Sequence, residues 1–207
     1  PVAIIQTQLE NALADSGPAP EPTLRAALQA TRSLGQLIGQ LLELARLSPE
    51  KQRSNYERVA LSRLVAEQVA VNVAAIDARH LEVSLAGDPN VQVSGNPRLL
   101  GIMVRNLLDN AIKYTPEAGT IDIVVRSTGS TAELSIADSG PGIPPELRQR
   151  ALQRFYRLPR QQADSSVSGS GLGLALVEMI ARAHCARLNL GSGPAGGLEV
   201  KVQLPLA

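Results

Sequence analysis

Asn106 and Asn110 stand four residues apart in the run Arg105 to Tyr114, R-N-L-L-D-N-A-I-K-Y. At that spacing two amides share one face of a helix, with Asp109 and Lys113 beside them. Leu107, Leu108, Ala111 and Ile112 cover the opposite side and would face a core. Asparagine is a poor helix former, and half-burying two amides costs stability unless they are used. An Asn side-chain oxygen suits a hard cation such as Mg2+, and Lys113 one turn on can hold a phosphate as a point charge. The chemistry suggested is binding of a Mg-nucleotide. Taken alone, the amides also fit a helix that hydrogen-bonds a neighbouring loop.

Two glycine-rich stretches add to that face. The first, D-S-G-P-G-I over residues 138–143, follows a strand pattern that ends at Asp138. Glycines at 140 and 142 let the backbone pass close to a ligand, and a carboxylate there can accept from the exocyclic amine of a purine. The same pattern also suits an ordinary tight turn. The second stretch is G-S-G-L-G-L, Gly169, Ser170, Gly171, Leu172, Gly173 and Leu174, directly before a helical pattern. Backbone N–H groups at a helix N-terminus cradle phosphate, and glycine permits the approach. Its spacing is not that of a Rossmann fingerprint, and the G-K-[ST] of a P-loop is missing. Between the two, Pro144 to Ser168 reads as a lid with Phe155 as its large apolar anchor. Arg148, Arg150, Arg154, Arg157 and Arg160 give the lid a positive balance suited to triphosphate, or a solvated face.

These residues need a scaffold, and from Val59 onward the pattern is α/β. Leu61 to Ile76 predicts one helix, His80 to Leu85 a strand, and Val91 to Val93 a short strand within a turn-rich connection. Leu99 to Tyr114 is the central helix, stopped by Thr115, Pro116 and Gly119. Ile121 to Arg126 and Ala132 to Ala137 form a hairpin across Ser127 to Ser130. Gly171 to Ala183 is a late helix, and Arg187 to Leu190 and Leu198 to Leu204 are closing strands. Helices and strands that do not alternate strictly predict a two-layer α/β sandwich on a mixed sheet, over residues 59–207.

Ahead of it, residues 1–47 read as a helical hairpin whose turn is Asp15 to Pro22, D-S-G-P-A-P-E-P. In its second helix Ala27, Ala30, Leu34, Leu37, Leu41 and Leu44 alternate steps of 3 and 4, and Leu28, Ile38 and Leu42 widen the stripe. Such a hairpin is half of a dimeric four-helix bundle, or folds back on its own large domain. Residues 48–58 are polar, contain Pro49 and read as a linker.

Composition narrows the classes. The chain has 207 residues, 44% hydrophobic and 19% charged, which is globular and soluble. No apolar run approaches the roughly 18 residues of a membrane span, so an anchor would lie outside this sequence. Formal net charge is +1, giving no argument for nucleic acid or a membrane surface. Three Tyr, one Phe and no Trp argue against a stacking platform for single strands, and the core must be aliphatic. The lone Cys185 leaves no intrachain disulfide.

In their order and spacing, N-L-L-D-N-A-I-K-Y, D-S-G-P-G-I, R-F-Y-R and G-S-G-L-G-L resemble the N, G1, F and G2 boxes of sensor histidine kinases, nearest the QseC-like kinases that pair with OmpR-type regulators. The resemblance implies the ATP-binding fold shared by histidine kinases, gyrase, Hsp90 and MutL, a hairpin that dimerises through residues 1–47, and ATP and Mg2+ as cofactors. It implies that Asn110, helped by Asn106, holds Mg2+, that Lys113 contacts phosphate, and that Tyr114 lies near base or ribose. Asp138 would read the adenine amine, with Gly140, Gly142 and Ile143 shaping the base pocket. Phe155 would dock the lid, Arg154 or Arg157 would reach the γ-phosphate, and Gly169 to Leu174 would close over the phosphates. A response regulator is the implied partner, and the implied setting is the cytoplasmic portion of an inner-membrane sensor, without nucleic acid and without membrane contact by this portion.

Where the hydrolysing branches of the superfamily place a Glu to activate water, position 106 is Asn, which favours phosphoryl transfer over hydrolysis. The family's acceptor histidine lies in an H-E-x-x-x-P-like segment. Pro1 would be its proline, so the expected acceptor precedes this sequence, which would bind ATP without phosphorylating itself. His80 and His184 read as structural. Leu152, Gln153 and Asn96 replace a Phe, an acidic residue and an Asp of the family pattern, departures expected to weaken lid packing without abolishing binding. The alternatives are an ATP-hydrolysing member and a non-catalytic, nucleotide-dependent dimeric binding module.

Overall fold

The computed structural model describes residues 56–158 and 171–207. The hairpin expected over residues 1–47, the linker as far as residue 55, and Arg160, Gly169 and Ser170 lie outside the described residues. The described elements are β1 (Glu57–Ala60), α1 (Leu61–Val71), α2 (Val73–Asp77), β2 (Glu82–Gly87), β3 (Gln92–Gly95), α3 (Pro97–Tyr114), β4 (Thr120–Thr128), β5 (Thr131–Asp138), α4 (Pro145–Ala151), α5 (Gly173–Ala183), β6 (Arg187–Ser192) and β7 (Leu198–Pro205). Glu57 and Arg58, read as linker, thus belong to a strand.

The main sheet has the order β2-β4-β5-β7-β6. β2 runs parallel to β4, and the remaining pairs are antiparallel, so the sheet is mixed as expected. β1 and β3 form a separate antiparallel pair. Alternation sets the two faces of the sheet. Ile121, Ile123 and Val125 of β4, Leu134 and Ile136 of β5, and Val200, Val202 and Leu204 of β7 are buried on one face. The helices supply the apolar layer with Leu100, Met103, Leu107 and Leu108 from α3 and Leu176, Val177 and Ile180 from α5. On the other face of the sheet, Arg126 and Gln203 both donate to the buried Glu133 carboxylate.

Helix α3 starts two residues earlier than its apolar periodicity indicates. Asn96 is its N-cap, and the side-chain oxygen accepts from the backbone N–H groups of Arg98 and Leu99 at 3.1 and 3.2 Å. Such a cap contributes about 1 kcal/mol, and Pro97 at the first helical position fits its missing N–H. Asn96 therefore belongs to the start of α3 and not to lid packing, and Asn caps as well as the family's Asp. The single helix expected over Leu61 to Ile76 is broken at Asn72, whose side chain donates to the Gln68 carbonyl at 2.9 Å. A short polar side chain that bonds back to its own helix competes with the next turn.

His184 ties the two long helices together. It caps the C-terminus of α5, is 2% exposed, and accepts the Asn96 backbone N–H on Nε2 at 3.1 Å. That bond requires a bare Nε2, which makes Nδ1 the donor to the Ile180 carbonyl at 2.8 Å. Tyr56 stacks on the ring with centroids 5.0 Å apart and donates its hydroxyl to the Ala183 carbonyl at 2.6 Å. The structural reading of His184 agrees with these bonds.

Burial holds the His184 pKa below the ordinary histidine value, while its bond to Ile180 acts in the opposite direction. The groups facing the ring, the Tyr56 ring, the Asn96 N–H and the Ile180 carbonyl, bear no charge. Below about pH 6.5 the unfolded chain binds a proton that the folded chain resists. The contribution is thus complete above that value and lost as pH falls through the lower folded value. Thermal midpoints of the native chain should fall over this window. In His184→Gln that segment of the pH dependence should be missing, with a lower midpoint at pH about 8. An unchanged pH profile in the variant would contradict the assignment.

Candidate functional site

The two asparagines lie where α3 meets the beginning of α5. A Cβ at Gly173, the first residue of α5, would sit 3.4 Å from Asn106 Oδ1 and from Asn110 Nδ2. Asn106 is buried, and its Nδ2 donates to the Ile102 carbonyl at 2.8 Å. One amide thus bonds back along its own helix and keeps its oxygen toward Gly173. Asn110 is partly exposed beside it. The first turn of α5 contains no acidic residue, so its N–H groups keep their positive end undiminished. Two carbonyl-type oxygens beside a helix N-terminus can receive a cation and an anion together, the requirement of a metal-bound phosphate.

One turn further along α3 the site becomes basic. Lys113 Nζ lies 5.0 Å from the Tyr114 ring centroid, in cation–π range. Burial lowers the Lys113 pKa, and the neighbouring Arg157 guanidinium lowers it further. Burial raises the Tyr114 pKa, with Arg157 acting the other way. The Arg157 charge disfavours the charged form of Lys113, and an anion bound beside them would offset that effect. Arg157 stands at this point of α3, whereas Arg154 donates to Met179 Sδ of α5 at 3.3 Å.

Asp138 closes the other end. It is 7% exposed, and its Oδ1 accepts from the backbone N–H groups of Gly140 at 2.8 Å and Leu198 at 3.2 Å. Burial raises its pKa, and these two bonds oppose the rise. Backbone crowds it closely: a Cβ at Gly197 would fall 2.0 Å from the Asp138 carbonyl oxygen, and one at Gly140 would fall 2.6 Å from the Tyr114 carbonyl oxygen. Only glycine fits between these main chains. Gly142, at φ 64°, lies against the Gly196–Gly197 turn, and Ile143 is buried behind it. The contribution of Gly197 and Leu198 was not readable beforehand, since it depends on a contact 60 residues away in sequence.

The expected lid differs from its reading in three ways. It contains a helix, α4, which a seven-residue stretch without apolar periodicity does not announce. Phe155 is not a buried anchor: it is 64% exposed, at φ 64°. Its backbone does the docking, with its N–H donating to the Gly171 carbonyl at 2.9 Å. Gly171 takes φ 69° and leaves no room for a Cβ, which would lie 2.8 Å from the Phe155 carbonyl carbon. Arg148, counted among cations for triphosphate, donates to the Ile143 carbonyl at 3.1 Å and to Ser192 Oγ at 2.7 Å, and so braces the Asp138 loop. Arg150 lies over the Tyr156 ring at 4.7 Å. Gly171 and Leu172 precede α5, Leu172 being fully buried, and Gly173 and Leu174 open the helix.

Residues 95–207 match the family described as histidine kinase-, DNA gyrase B- and HSP90-like ATPase. The sensor protein kinase PmrB of Pseudomonas aeruginosa is 39% identical over 99% of this chain and 43% of its own length. The chain therefore spans less than half of that curated relative. Among solved structures, a mycobacterial sensor histidine kinase, MprB, is 32% identical with a TM-score of 0.63, covering 73% of this chain and 97% of the other. The cytoplasmic segment of the histidine kinase QseC is 25% identical with a TM-score of 0.59, over 83% of this chain and 92% of the other.

The raised pKa of Asp138 means that its buried charge opposes folding at neutral pH. Stability from this group is complete below about pH 4, the unfolded value, and falls as pH rises through the folded one. Asp138→Asn keeps an oxygen for Gly140 and Leu198 without the charge. Its thermal midpoint at pH about 7 should equal or exceed the native one. A drop of several degrees would show that the carboxylate serves the fold.

Proposed function

The chain belongs to the histidine kinase-, DNA gyrase B- and HSP90-like ATPase family, in its sensor histidine kinase branch, and on that premise we propose that it binds Mg-ATP along α3 and donates the γ-phosphoryl to a histidine. The observation that carries the proposal is the meeting of Asn106 and Asn110 with Gly173 at the start of α5, with Lys113 one turn further along α3 under the influence of the Arg157 charge. Asn106 to Tyr114 is about 12 Å of helix, with Asp138 beyond it, so base and phosphates have separate places.

In this reading Asp138 accepts the adenine amine, Gly140, Gly142 and Ile143 shape the base pocket, and Tyr114 borders base or ribose. Lys113 and Arg157 hold phosphate oxygens, and Gly171 to Leu174 bring the α5 N-terminus over them. The side-chain oxygens of Asn110 and Asn106 would hold Mg2+, which when bound neutralises phosphate charge. Phosphoryl transfer needs positioning and charge neutralisation more than covalent help, and these residues supply both. Asn106 cannot take a proton from water at neutral pH, and its Nδ2 is committed to Ile102, which argues against hydrolysis as the main activity.

The acceptor is a histidine other than the two of this chain. His184 is enclosed by Tyr56, Asn96 and Ile180, with both ring nitrogens in use. The phosphoryl group then passes to an aspartate of an OmpR-like response regulator, from a homodimer assembled through residues 1–47. The QseC segment to which this chain is similar is cytoplasmic, which supports the same setting here, as part of an inner-membrane sensor.

Incubation with γ-labelled Mg-ATP tests the proposal on this chain and on a longer polypeptide with an H-E-x-x-x-P segment upstream. Acid-labile, base-stable label is expected in the longer polypeptide alone. Absence of label in both, with ATP bound, would favour a nucleotide-dependent binding module. Asn110→Ala in the longer polypeptide should reduce labelling at least tenfold, the cost expected of a lost charged contact. Undiminished labelling would remove Asn110 from the site.

A further inference from the structure

We propose that Arg79 is a positioning residue for the nucleotide site, setting the last turn of α3 without touching the ligand; the inference rests on the nucleotide reading above. Arg79 lies in the connection between α2 and β2, outside the residues 95–207 that match the family. Its guanidinium gathers main-chain oxygens of one helix end. Nη1 donates to the carbonyls of Ile112 and Lys113, and Nη2 donates to that of Thr115 at 2.7 Å. The Arg79 carbonyl in turn accepts from Ala118 N–H at 3.1 Å. Both halves of the residue thus hold the stretch 112–118.

The last carbonyls of a helix lack intrahelical donors, and the helix end bears partial negative charge. Thr115 supplies Ala111 with two donors, its N–H and its Oγ1. Arg79 supplies the next carbonyls and adds a positive charge at the favourable end. That turn contains Lys113 and Tyr114, and the Tyr114 carbonyl lies against Gly140 of the Asp138 loop. A loosened turn would move a phosphate ligand and the base loop together. A displacement of about 1 Å is enough to weaken binding at a preorganised site.

The test is calorimetric titration of the full chain with Mg-ATP and with Mg-ADP, well below the thermal midpoint of each variant. A role confined to stability would lower the midpoint and leave affinity among folded molecules unchanged. Arg79→Ala should bind both nucleotides about tenfold more weakly, and Arg79→Lys, with the charge but not the fork, should fall between. Added methylguanidinium should restore part of the affinity of Arg79→Ala. Native affinity in folded Arg79→Ala overturns the inference while leaving the nucleotide reading intact. Failure of the native chain to bind either nucleotide overturns both. If Arg79→Ala does not fold, Arg79→Lys decides, and native affinity there overturns the inference.

Discussion

Helix α3 has to be core and site at once, and its two ends are fixed by groups distant in sequence. At the N-terminus Asn96 caps the helix with its side chain while its own N–H is held by His184, 88 residues away. At the C-terminus the Arg79 guanidinium closes the free carbonyls from more than 30 residues upstream. Between these clamps, Leu100, Met103, Leu107 and Leu108 pack into the apolar layer. Each clamp makes hydrogen bonds that would be exchanged for water on fraying, so their joint effect is to keep the asparagine face in one register.

That constraint explains why the site tolerates unfavourable electrostatics. A buried carboxylate, two neighbouring cations and an asparagine pair inside a helix each oppose folding. A loose helix would relax away from them. A helix held at both ends and packed along one side keeps them in place, and in the proposed function an adenine amine would face Asp138 and phosphate oxygens would face Lys113 and Arg157. Close backbone approach has the same logic at Gly197 and Gly140, where glycine lets adjoining backbone segments close around Asp138.

Much of this was legible in the sequence because it is local. The i, i+4 asparagines, the apolar back of α3, the glycines at 140, 142, 171 and 173 and the alternation of β4, β5 and β7 are short-range patterns that mirror the face each residue presents. The break at Asn72, the helix inside the lid and the exposure of Phe155 were not legible. Each turns on a competition between a side chain or main chain and a partner that periodicity does not name. Arg148 shows the same limit from another side, since a cation near a phosphate site and a cation bracing a loop look alike until Ser192 and Ile143 are brought beside it. His184 was legible only as structural. Its bonds join the starting end of α3 to the last turn of α5, a pairing with no signature along the chain.

The most direct measurement is a 15N–1H spectrum of the labelled chain titrated with Mg-ATP. The account predicts that the largest shifts fall on the amides of Gly140, Gly142, Gly171 and Gly173 and on the side-chain NH2 groups of Asn106 and Asn110. Shifts confined to α1 or to the β2 edge, with those signals unmoved, would contradict it.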